Sequence, residues 1–162
     1  MRGGAADVLG DMAAYCDISG AVSALGQTLL DKPGVRYWAI KTLHNAAWRE
    51  MDLRAALPFF SRVLLERSEQ ERIEAARVLQ SMAMYDITPV LPALIENLRS
   101  SDILLSMLRQ DVAHVIKVFA EQSQANAQLV RTLFKQAKLK KDLNREIRDI
   151  FKKLNALRRK AS

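Results

Sequence analysis

Asp17-Ile18-Ser19-Gly20-Ala21-Val22-Ser23-Ala24-Leu25, Asp52-Leu53-Arg54-Ala55-Ala56-Leu57-Pro58-Phe59-Phe60 and Asp86-Ile87-Thr88-Pro89-Val90-Leu91-Pro92-Ala93-Leu94 follow one pattern. In each, an Asp is followed by apolar residues at +1, +5 and +8, and the three Asp residues stand 35 and 34 positions apart. An aromatic precedes each of them: Tyr15, Trp48 and Tyr85. Asp at a helix start accepts backbone N–H bonds and favours the positive end of the helix dipole. Pro89 sits where a first turn tolerates it, whereas Pro58 and Pro92 lie deeper and are expected to bend their helices. Each Asp-led helix leads through a short polar turn (31–34, 67–70, 100–102) to a second helix. The second helices begin at Val35 and Glu71, and their Ala39/Leu43 and Ala75/Leu79 pairs match at an offset of 36. Small Ala at such places lets neighbouring helices approach closely.

Two helices per period of about 35 residues is the pattern of an α-solenoid. Composition agrees. The 162 residues are 49% hydrophobic, and only six Gly and four Pro interrupt them, too few turns for a many-stranded sandwich or barrel. One cysteine, Cys16, excludes an intramolecular disulfide framework and a Cys-rich zinc module. No apolar stretch approaches the ~20 residues of a membrane span, and no signal-peptide core is visible, so a soluble cytoplasmic protein is expected. The start inside a repeat unit, with Ala5 to Leu9 reading like a second helix, suggests that further repeats precede it. An exposed first helix would then invite a partner or a homodimer.

The Asp-led starts, the turn from Asp31 to Arg36 and the Ala-x-x-x-Leu pairs resemble HEAT repeats, especially the short bacterial type of phycobilisome lyases. The likeness runs over about residues 5–99. It implies an all-α, right-handed α-solenoid of about four HEAT-like hairpins, one domain over 1–162, with repeats over 5–120 and a basic helical cap over 121–160. HEAT repeats serve scaffolds, transport factors, lyases and DNA-binding enzymes alike, so the resemblance specifies fold better than activity.

Charge is concentrated at the C-terminus. Residues 135–160 hold 11 Lys/Arg and 3 Asp/Glu, against 14 and 15 in residues 1–134. The cluster comprises Lys138, Lys140, Lys141, Arg145, Arg148, Lys153, Arg158, Arg159 and Lys160, and suits either an anionic partner or a solvated face. Leu143, Ile147, Ile150, Leu154 and Leu157 form a short heptad seam, read as the face that closes the solenoid rather than as a dimer seam.

The second helices of a helical solenoid line its concave side. Registered by their core pairs, Lys41, Arg77, Lys117 and Lys152 occupy equivalent outward places and form a ladder of cations. Tyr37, Lys41, His44 and Trp48 share one ridge opposite Ala39, Leu43 and Ala46. The next repeat offers Ile73, Arg77, Gln80 and Met84 or its neighbour, a partly apolar set. Such rings serve partner contact or half-buried packing between repeats equally well. His44 and His114 lack metal-ligand spacing, no cofactor is expected, and Met51, Met82, Met84 and Met107 read as core. The expected function is a non-enzymatic scaffold or adaptor that binds a partner protein through these ridges. The alternative is nucleic-acid binding through the ladder and the basic end. HEAT-like DNA glycosylases use a Trp and an Asp, which makes Trp48 and Asp52 a weaker enzymatic alternative. The recurrence of Asp52 as Asp17 and Asp86 reads more simply as helix capping.

Overall fold

The computed structural model describes residue 8, residues 17–99 and 106–139, and residues 145–160 (of Lys160 only its place in a helix). Eight α-helices run through them: α1 (Val22–Thr28), α2 (Pro33–Trp48), α3 (Leu57–Glu66), α4 (Glu69–Met82), α5 (Leu91–Leu98), α6 (Ser106–Glu121), α7 (Gln124–Gln136) and α8 (Arg145–Lys160). No strand occurs among the described residues. The turn at 100–102, Ile103 at the expected start of the sixth helix, and the stretch from Ala5 to Leu9 apart from Val8 lie outside them.

The three Asp-led stretches form the same local structure. Each opens with a 3-10 turn, Ser19–Ala21, Arg54–Ala56 or Thr88–Val90, which runs directly into α1, α3 or α5. The Asp carboxylates of Asp17, Asp52 and Asp86 accept the backbone N–H two residues on, at 2.8, 3.0 and 3.0 Å. The Asp therefore caps the 3-10 turn, not the α-helix itself. This shifts the helix start and corrects the expectation for the prolines. Pro58 and Pro92 stand in the first turn of α3 and α5, where the missing N–H has no partner to lose. Gly26 allows α1 to approach the turn before α3: a Cβ there would lie 2.6 Å from the Phe59 ring and 3.1 Å from the Ala56 Cα.

Second helices start by other means. Pro33 opens α2, and Ser68 opens α4 with a reciprocal capping box, its hydroxyl accepting from the Glu71 N–H while the Glu71 carboxylate accepts the Ser68 N–H. At the C-termini of α2 and α7 the chain closes with 6→1 and 5→2 bonds: Met51 and Glu50 donate to Ala46 and Ala47, Leu139 and Lys138 to Phe134 and Lys135. Glu50 and Lys138 adopt the left-handed φ values of 57° and 51° that this cap requires.

Helix contacts follow a simple rule. Consecutive helices pack as hairpins, α1 with α2, α3 with α4, α5 with α6, and α7 with α8, and α6 packs closely on α7 as well. Each helix also packs on the one two places along, so α1, α3, α5 and α7 form one series and α2, α4, α6 and α8 another. The core between the series is apolar and continuous, with Leu43, Phe60, Leu79, Leu91, Phe119, Phe134 and Ile150 fully or almost fully buried. Ala39, Ala46, Ala75 and Ala76 are buried too, as their small size suggested. Ile147, Ile150 and Leu154 of the C-terminal seam are buried, and α8 packs on both α6 and α7. Leu143 lies outside the described residues.

Two buried arginines tie the second series together. Arg36 of α2 donates through Nε to Glu71 of α4 and through Nη1 to the Asp31 carbonyl. Arg109 of α6 faces Glu146 of α8 at 3.7 Å. In the other series, buried Asn97 of α5 donates to the Leu64 and Ala93 carbonyls and accepts from Arg72.

Candidate functional site

The ridge on α2 is exposed. Its apolar back, Ala39, Leu43 and Ala46, is fully buried, which turns Tyr37, Lys41 and Trp48 outward. Trp48 is 75% exposed and Tyr37 49%, so half-buried packing between repeats does not account for them. The His44 and Trp48 rings are parallel within 3° at 6.1 Å, and Tyr37 meets Trp38 edge-on at 5.3 Å.

These side chains form one wall of a groove of about 370 Å³ between α2 and α4. Gln70, Glu71 and Glu74 of α4 form the facing wall. Burial pushes the His44 imidazole below its ordinary value; Glu74 opposes this, while Arg77 and Lys41 add to it. That shift favours the uncharged ring. Burial pushes Glu71 up, but its hydrogen bonds from Arg36 and Ser68 more than offset this and hold it below the usual range. The outcome is a groove with a wall of rings and, among its described lining residues, one exposed cation, Lys41, opposite carboxylates already held by Arg36, Gln70 and Arg77.

The rest of the expected ladder differs. Arg77 contacts Glu74 at 3.0 Å and Asp111 of α6 at 3.6 Å. Gln80 donates to the same Asp111 at 2.9 Å. Asp111, six residues before Lys117, is thus the group beside Arg77. Lys117 instead shares a second groove, between α6 and α8, with His114, Glu121, Asp149, Lys152 and Lys153. Lys152 pairs with Asp149 at 3.7 Å, and Lys153 pairs with Glu121. Between the rungs stand carboxylates, so the face carries mixed charge. Glu74 and Asp149, each three residues before a ladder cation, were readable from helical spacing. Asp111 and Glu121 belong to neighbouring helices, and only their packing shows the pairing. Arg36, Arg72, Arg109 and Arg145, at steps of 36, 37 and 36, were also visible as a repeat.

Met84 and Met107 are 69% and 52% exposed, which corrects their reading as core; Met82 is buried as expected. The Met107 sulfur lies 3.6 Å from the Arg77 guanidinium. Of the basic cluster, Lys138, Arg145, Arg148, Arg158 and Arg159 are exposed and Lys153 half-buried; Lys140, Lys141 and the side chain of Lys160 lie outside the described residues.

Asp52 is held by its own turn. Arg54 donates to both its carboxylate oxygens, and this pairing, with the backbone bond, lowers the carboxyl to about 2. The side-chain hydrogen bond from Ser19 lowers Asp17 likewise, and that from Thr88 lowers Asp86. Any stability these three caps contribute is complete above the ordinary value near 3.8 and is lost as pH falls through their lowered values. Among the described residues no group of three His, Cys, Asp or Glu is placed to hold a metal ion. None of the helices they form is long and apolar enough to cross a membrane.

The structure is similar to the crystal structure of an engineered protein, with a TM-score of 0.62 and 18% identity. The match covers 81% of this chain and spans 61% of the engineered one, and at that identity it is a likeness of fold alone. No family model and no curated protein matches the sequence.

Proposed function

We propose that the chain is a HEAT-like, right-handed α-solenoid of about four hairpins, closed by the basic helix α8, that acts as a non-enzymatic cytoplasmic adaptor. Its partner is a protein, held against the second helices. The observation that carries this reading is the α2 ridge. Large rings left in water beside a groove are the side chains that dominate protein interfaces when covered. The two series of helices support the solenoid, because hairpins that pack chiefly on their neighbours in this way stack in one dimension.

Tracking of a phosphate backbone along the whole ladder has less support, since Arg77, its second rung, is already held between Glu74 and Asp111. A glycosylase role for Asp52 has less still. Its carboxylate does for its turn what Asp17 and Asp86 do for theirs.

The test compares Trp48→Ala with Leu65→Ala, an exposed residue of α3 in the other series. Partners are isolated with the wild-type chain and their affinities measured for each variant. Trp48→Ala is expected to weaken the principal partner by about 30-fold or more, a hot-spot loss of ~2 kcal/mol. Leu65→Ala should leave it within about twofold. Equal affinity for both variants would contradict the proposal.

A further inference from the structure

The C-terminal helix carries a feature separate from the groove. Ile147, Ile150 and Leu154 are buried, which fixes the rotation of α8. At 100° per residue, Arg145, Arg148, Lys152 and Arg159 lie within about 55° of the line directly opposite, and Asp149 shares that sector. All four are exposed. Arg145 and Arg159 stand 14 positions apart, about 21 Å of helix at 1.5 Å per residue. The acid nearest this line is Asp149, which contacts Arg145 and Lys152 at 3.9 and 3.7 Å, long distances for exposed pairs worth little in water.

From this stripe we infer a second docking surface, for the sugar-phosphate backbone of a double-stranded nucleic acid. Three of the four cations are Arg, whose planar fork pairs bidentately with phosphate. What the stripe lacks also selects the partner. A membrane-surface helix needs its apolar face free to enter the headgroup region, and that of α8 is spent on α6 and α7. A protein interface needs an apolar centre, and the large exposed apolar side chains of the described residues all lie outside α8. A backbone of regular phosphates needs only the charges. The surface does not depend on the partner groove, because none of its residues lines it.

The experiment measures binding of a 24-base-pair duplex, as DNA and as RNA, by the wild-type chain and by the triple variant Arg148→Gln/Lys152→Gln/Arg159→Gln, over a range of salt concentrations. For four cations the expected slope of log K against log salt is about −3.6, so affinity falls about 150-fold between 50 and 200 mM salt. In the triple variant the slope should shrink to about −1, with circular dichroism unchanged because the three side chains are exposed. Trp48→Ala should bind the duplex like wild type. Absence of duplex binding, an unchanged slope in the triple variant, or retention on phosphatidylserine vesicles but on neither duplex would overturn the assignment.

Discussion

Arg36→Ala is expected to lower the free energy of unfolding by about 3 kcal/mol. The Arg36 guanidinium is almost wholly buried and bridges α2 to α4 through Glu71. Removing it leaves a mostly buried carboxylate without its charge partner and deletes the hydrogen bond from Arg36 to the Asp31 carbonyl. The cost of stranding one charge exceeds the value of the pair, because forming the pair already required the desolvation of both. Arg36→Met with Glu71→Leu should therefore recover most of the loss. It should stop about 1 kcal/mol short of wild type, since Glu71 also closes the capping box of α4. Urea unfolding followed by circular dichroism measures all three chains. A double variant as unstable as Arg36→Ala would show that the pair holds more than its own charges.

Ile150→Ala is expected to cost between about 2 and 5 kcal/mol, the range for a fully buried aliphatic side chain whose site cannot collapse. Ile150 has no exposed surface, and its helix packs on α6 and α7, where the Phe134 and Phe151 rings meet edge-to-face at 5.5 Å. The loss should be independent of protein concentration. A seam that joined two copies would instead show a midpoint that rises with concentration. Thermal melts over a hundredfold concentration range separate the two.

Much of this was legible in the residues. The Asp-led turns located α1, α3 and α5, because a carboxylate two residues ahead of an N–H is a local device that needs no tertiary partner. Ala39, Leu43, Ala75 and Leu79 marked the buried faces, and with them the outward side of Tyr37, Lys41 and Trp48. The places of Pro58 and Pro92 were misread because the 3-10 turn inserts one turn before the α-helix begins. The pairing of Arg77 with Asp111 was beyond the sequence. It depends on the register of α6 against α4, which tertiary packing sets and no local spacing shows. Met107 shares that cause, since its exposure follows from the same register.

The central claim is that α2, α4, α6 and α8 stand side by side in one row. Spin labels placed at Lys41 and His114, and separately at Lys41 and Lys152, in a Cys16→Ser background, measure it directly by dipolar spectroscopy. At ~8–10 Å between neighbouring helices, the first pair should lie about 16–20 Å apart and the second about 24–30 Å apart. A distance from Lys41 to Lys152 equal to or shorter than that from Lys41 to His114 would mean that the helices close into a bundle, and would contradict the account.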